Sequence, residues 1–326
     1  MLGRFSKRIL LTGAGWSRNW GAPLAQEVWN ALFGHAAVRA NEGLRQLLLE
    51  ETRFEVALAR TSAAPFSPDD RRALEIAITD AFINMDHEIA RVQNDGVNIY
   101  RVQDFVFRFW GTTAEKNEAG YIFTLNQDLF PERRLYNHYV TGAPAPALPG
   151  VVAKPNTPLF TTNMPAYSVD LEAHPVADPA GMRLTGQMNI IKLHGSFNWR
   201  AAEGGNVMVV GDGKAAQIQA HPLLAWYRDI FRAALSAGDV RLMIMGYGFA
   251  DEHINSAIAS AIADHGLQVF IWDTVADLQA RVTAAPHGPA IWRGLMGAAG
   301  RRLIEVFPSD QSETEELRRI RREFFG

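Results

Sequence analysis

The chain has 326 residues, 48% hydrophobic and 21% charged, with a formal net charge of −3, the balance of a globular protein with a large core. That charge offers no general attraction to nucleic acid or an anionic membrane, and no apolar stretch approaches the roughly 18 residues of a spanning helix. There is no cysteine, which excludes disulfides, thiolate metal sites and thiol nucleophiles.

The first apolar run, "RILLT" (8–12), reads as a buried strand. Arg4, Lys7 and Arg8 surround its start, but it is too short for a signal-peptide core, and a cytoplasmic protein is expected. The run enters "GAGWSRNWG" (13–21), a strand-to-helix turn holding Gly13, Gly15 and Gly21. Such a turn lets backbone N–H groups approach a phosphate at a helix start. A dinucleotide fingerprint needs a glycine where Arg18 stands, and no Gly-Lys-Ser/Thr follows. The segment is therefore a phosphate cradle or an ordinary tight turn. Residues 36–119 have few breakers apart from "SAAPFSP" (62–68) and repeat apolar residues at helical spacing, as in "ALEIAITDAFI" (73–83). They read as a helical insertion that supplies a lid, an oligomer interface or simple packing.

Further buried strands are expected at "YIFTL" (121–125), "NIIKL" (189–193), "VRLMIM" (240–245), "LQVFIW" (267–272) and "RLIEVF" (302–307). Short β-branched and aromatic runs alternating with helical patterns indicate an α/β fold. The expectation is a Rossmann-like, doubly wound parallel sheet of about six strands within a single domain spanning 1–326. The strand ends carry polar residues, and in such sheets ligands bind there. "FTLNQDLF" (123–130) places Asn126, Gln127 and Asp128 at one end, as ligand groups or helix caps. "IIKLHGSFNW" (190–199) places His194 at another, as a general base or a core histidine. "LMIMGYGFADEHIN" (242–255) has Gly246 and Gly248 in a turn before a helix opened by Asp251. "VFIWDT" (269–274) ends on Asp273, a ribose-hydroxyl acceptor or an N-cap. Residues 141–187 form a Pro/Gly-rich loop. "SETEELRRIRREFF" (312–325) is an amphipathic helix, packed, solvated or in contact with nucleic acid. The nine histidines show no H-E-x-x-H or similar metal spacing.

The order "GAGWS", "TLNQD", "LHG", glycine-rich turn resembles the sirtuin family. "KLHGS" and "GYGFADEHIN" look more like the divergent sirtuin-like proteins of bacterial anti-phage defence than like protein deacetylases. The resemblance spans residues 9–273 and leaves the helical insertion outside. It departs at Leu24 and Ala25, where the family has arginine, and at Leu125, where it has glutamine. The four-cysteine zinc module after His-Gly has no counterpart, so no metal is expected.

The resemblance implies NAD as substrate, with Asn126 orienting the ribose or an attacking water and His194 as base. It implies that Gly13, Ala14, Gly15 and Ser17 hold the pyrophosphate and that Asp273 takes the adenosine ribose. It further implies that Asp128 shapes the nicotinamide pocket and that Gly195 and Gly246 complete the binding set. The implied activity is an NAD glycohydrolase that releases nicotinamide and ADP-ribose, or a cyclic form, in abortive anti-phage infection. A homo-oligomer and a hexameric DNA-translocating ATPase of the HerA type are the implied partners, with no membrane. Two other readings stand beside it: a module that senses NAD or ADP-ribose, and a nuclease subunit of a DNA-processing complex. A pure sensor has no need of the Asn126 and His194 pair, and the sequence has neither a clustered acidic metal site nor a basic patch for a nuclease.

Overall fold

The computed structural model describes residues 5–91, 96–110, 119–135, 146–161, 171–179, 181–182, 184, 188–202, 204–211, 213–310 and 313–326. From the first strand, β1 (Phe5–Thr12), the chain passes through α1 (Ala14–Ser17) into a run of helices. These are α2 (Ala25–Gly34), α3 (Ala36–Arg39), α4 (Glu42–Glu50), α5 (Phe54–Arg60), α6 (Pro68–Arg91) and α7 (Ile99–Phe107). Then follow β2 (Ala119–Thr124), α8 (Phe130–Arg134), β3 (Val151–Ala153), β4 (Ala173–Pro175), β5 (Met188–Lys192), β6 (Gly195–Arg200) and β7 (Asn206–Met208). The last part holds α9 (Lys214–Ala220), α10 (Pro222–Leu235), β8 (Arg241–Met245), α11 (Glu252–His265) and β9 (Gln268–Trp272). It ends with α12 (Leu278–Thr283), α13 (Gly288–Arg293), β10 (Leu295–Ala299), α14 (Leu303–Val306) and α15 (Glu315–Ile320).

Six strands form the main sheet in the order β10-β9-β8-β1-β2-β5, every pair parallel. Both faces are covered, which is why these strands are apolar runs without alternation. Residues three apart on a strand point to opposite faces. On β2, the Phe123 ring meets Phe231 of α10, whereas Gly120 lies under the Trp110 backbone. The chain leaves β1 toward β2 on one side and returns as β8 on the other. The carboxyl ends of β1 and β8 therefore flank the topological switch point, the ordinary ligand crevice of such sheets.

A smaller sheet, β3-β4-β6-β7, stands beside the first. Only Leu193 and His194 separate β5 from β6, so the two sheets are joined at the histidine. The tail packs: Leu317, Ile320 and Phe324 are buried, and Arg8 and Arg241 donate to the carbonyls of Phe325 and Phe324. Within the 141–187 segment, β3 and β4 are formed, and residues 141–145, 162–170, 180, 183 and 185–187 lie outside the described residues.

One expected strand is a helix. Within "RLIEVF" the buried residues are Leu303, Val306 and Phe307, at i, i+3 and i+4, which is helical spacing. The Glu305 side chain accepts from the Arg302 N–H at 2.9 Å and caps the turn. The sixth strand is instead "LMGAA" at β10. There the missing side chain of Gly297 makes room for the Phe270 ring, 3.0 Å from where its Cβ would lie. No helix among the described residues is long and apolar enough to cross a membrane.

Candidate functional site

Four of the strand ends, those of β1, β2, β5 and β8, border one cavity of about 1130 Å³, above the usual few hundred to roughly 1000 Å³ of small-ligand pockets. Gly13, Ala14, Asn126, Asp128 and His194 all line it, and Thr52–Val56, reaching into α5, close it from the helical region.

Within the first turn the glycines serve two ends. The N–H of Gly13 donates to the Met245 carbonyl at 3.0 Å and that of Gly15 to the Gly246 carbonyl at 2.9 Å. A Cβ at Gly13 would lie 2.7 Å from the Gly246 carbonyl oxygen. Gly246 has φ +63, and a Cβ there would overlap the Trp16 nitrogen. These glycines thus weld β1 to β8 at the switch point, and their N–H groups are engaged within the protein. The exposed Ala14 N–H, without a partner among the described residues, is the donor the turn offers to the cavity.

Asn126 is held in one orientation. Its Nδ2 donates to the Gly13 carbonyl at 3.0 Å and to Ser17 Oγ at 2.9 Å. A carbonyl only accepts, so the amide nitrogen must face Gly13, and Oδ1 remains as a free acceptor. Ser17 in turn donates to the Asp128 carboxylate. Ser17 therefore acts behind the cavity wall, fixing Asn126 and Asp128 together.

Beneath this loop lies a buried charge cluster. Lys192, fully buried, donates to the Asp128 carbonyl at 2.6 Å, Ser196 Oγ at 2.7 Å and Glu132 Oε1 at 2.8 Å. Ser196 Oγ reaches the Gln127 carbonyl at 3.1 Å. All three ammonium protons are used, and two of the contacts pin the Gln127–Asp128 backbone. Burial pushes the Asp128 and Glu132 carboxyls up, against the pull of the Lys192 ammonium.

His194, 2% exposed, faces His253, with Nε2 to Nε2 at 3.2 Å. Its ring also bonds the Leu125 backbone. Burial holds its pKa down to about 3, so the ring is neutral around pH 7. Burial also lowers His253. Asp251 precedes α11, and donor atoms of His194, Asp251 and His253 lie within 4.8 Å of one another. Lys214 Nζ pairs with the Asp251 member of this group, 2.9 Å from its Oδ1, and with Glu55, 3.2 Å from its Oε2. Burial would lower the Lys214 ammonium, but those two carboxylates outweigh it and raise it.

The remaining expected site residues stand elsewhere. Gly195, at φ +72, steers the chain from His194 into β6, where a Cβ would meet the Val207 carbonyl. Asp273 ends β9 away from the cavity wall. Its Oδ1 accepts the Val275 N–H at 3.0 Å and its Oδ2 faces Arg281 at 3.6 Å. Lys214, His253 and Glu55 are not among the residues that the sequence singles out. The signal for His253 is its place at the start of the helix that follows the Gly246–Gly248 turn, in "ADEHIN".

Comparison with protein-family models finds a SIR2-like domain at residues 159–284, the part with β5, His194, the Gly246 turn and Asp273. SIR2-like domains bind NAD. No curated protein matches the chain.

Proposed function

We propose that this chain, with its SIR2-like domain, hydrolyses NAD to nicotinamide and ADP-ribose. The observation that carries the reading is the fixed Asn126 amide. Both its protons are spent on Gly13 and Ser17, so a single oriented acceptor lines a cavity large enough for a dinucleotide. The nicotinamide of NAD leaves as a neutral base, taking the glycosidic electron pair, so no acid is required. An amide oxygen beside the ribose serves this reaction twice: it orients a water or a ribose hydroxyl, and its dipole favours the positive charge that develops on the sugar. His194, uncharged at pH 7, borders the same cavity and supplies a basic nitrogen for the proton that the reaction releases. The Ala14 N–H and the start of α2, which contributes Gln26 to the wall, suit the diphosphate.

The likeness of "KLHGS" and "GYGFADEHIN" to defence proteins extends the proposal to NAD depletion during phage infection. An NAD hydrolase without restraint drains its own cell, so a homo-oligomer or a HerA-type ATPase partner is proposed as the gate. Switching from mostly off to mostly on takes about 5.5 kcal/mol of differential binding.

The test is incubation of the pure protein with NAD, with products resolved by chromatography. Nicotinamide and ADP-ribose should appear, and Asn126→Ala and His194→Ala should each slow their release about 100-fold or more. If both variants match the wild type, the site is misassigned. If NAD is bound but never cleaved, alone or with infected-cell extract, the hydrolase reading fails.

A further inference from the structure

We propose that His194 and His253 form one proton-accepting pair, with Asp251 as its counter-ion and Lys214 as the residue that positions that counter-ion. The proposal rests on the hydrolase reading and deepens it.

Two imidazole nitrogens 3.2 Å apart are held by a single proton between them. With two protons the rings repel, and with none the contact has no bond. Burial settles which ring meets the cavity. His194 is buried, whereas His253 opens onto the cavity. A proton taken from the cavity enters at His253 Nδ1, so in the neutral pair that accepts it His253 Nε2–H donates to His194 Nε2. The basic lone pair of His194 points at His253 rather than at the open cavity, and His194 is buried. The half-buried His253 lines the cavity, and its Nδ1 has no partner among the described residues.

The step then balances. The O–H bond of the attacking water, or of a ribose hydroxyl, breaks as an N–H bond forms at His253 Nδ1. The proton on His253 Nε2 passes to His194 Nε2. The pair gains one positive charge and no electrons are transferred. The surroundings are set for that charge. Asp251 and Glu55 carry two negative charges and Lys214 one positive, leaving one negative charge beside the pair. Arg228 and Arg232 of α10 oppose it. Return of the proton to solvent runs through His253, the ring nearer the open cavity.

His253→Asn tests this in the full-length protein by two measurements. Ring NMR needs no turnover. In the wild type the His194 and His253 signals should move together through one shared transition below pH 6.5. In His253→Asn the His194 signal should lose that transition. Separate transitions, or a His194 titration unmoved by the substitution, overturn the pair. In the kinetic arm, kcat for NAD should fall about 10- to 100-fold with KM little changed, and the acid limb of the kcat profile should move. Lys214→Met should move that limb too, which a merely structural lysine would not do. Wild-type cleavage of NAD matched by His253→Asn overturns the pair and leaves the hydrolase reading intact. Coupled titration in a protein that never cleaves NAD supports the pair and overturns the reading. Should His253→Asn fail to fold, His253→Gln carries the same measurements. One tightly bound divalent metal per wild-type chain, lost in the variant, also overturns the proposal.

Discussion

At the scale of single residues, His194 governs how acid acts on stability. Its folded pKa lies near 3, below the ordinary histidine value of about 6.5. Between those values the unfolded chain binds a proton that the folded chain refuses, so stability is full above about pH 6.5 and falls as pH drops toward 3. The slope approaches about 1.4 kcal/mol per pH unit in that window. Urea midpoints at pH 7 and pH 4.5 should therefore separate for the wild type and draw closer for His194→Asn. An equal separation in both would assign the acid sensitivity to other groups. Asn126 and His194 were legible beforehand because a polar residue at the end of an apolar run stands out against its surroundings. The contacts of His253 and Lys214 were not, because they depend on how the starts of α11 and α9 approach β5, a tertiary fact no local pattern carries. Ser17 was legible from the glycine turn, but its contact with Asn126 was not. It braces Asn126 from behind, where the motif suggested a phosphate ligand.

At the scale of elements, two kinds of glycine separate cleanly. Gly246 joins the β8 turn to the β1 turn with no room for a methyl, whereas Gly266, which ends α11 at φ +68, has open space around it. Gly246→Ala should cost several kcal/mol, because backbone must move, and Gly266→Ala only about 1 kcal/mol for the left-handed conformation. Comparable losses for both in thermal unfolding would refute the weld. The buried Lys192 makes a second test. Lys192→Met removes the ammonium from two carboxyls and from the loop under Asn126, and should cost about 3–5 kcal/mol. Adding Glu132→Leu should recover part of that loss. A further loss in the double variant would mean that Glu132 stands on its own. The strands were mostly readable because burial on both faces imposes an uninterrupted apolar run. β10 escaped because "LMGAA" is a strand through pairing and small size, not propensity. "RLIEVF" misled because a short apolar run does not by itself separate helix from strand.

At the scale of the whole molecule, the cavity is closed by chain segments far apart in sequence. The sheet provides its floor, and Thr52–Val56 of the helical region provide a wall. Lys214, bridging Glu55 of α5 to Asp251 before α11, ties that wall to the floor. Binding of NAD should therefore slow hydrogen exchange in α5 as well as in the β2 and β8 turns. Lys214→Met should speed exchange in α5 in the absence of NAD. Exchange in α5 unchanged by both would confine the site to the sheet edge.

His194 has one more consequence, through its place between two layers. It stands on the two-residue link from β5 in the parallel sheet to β6 in the smaller one, while Asn126 follows β2 of the parallel sheet. β6 also grips the Asn126 loop, through Ser196 Oγ and the Phe197 N–H on the Gln127 carbonyl, so a tilt of the smaller sheet would carry both residues with it. A misplacement of about 1 Å between reacting groups can cost roughly 100-fold in rate. The seat of the smaller sheet on the larger one thus sets the spacing of the two proposed reacting groups from outside the cavity.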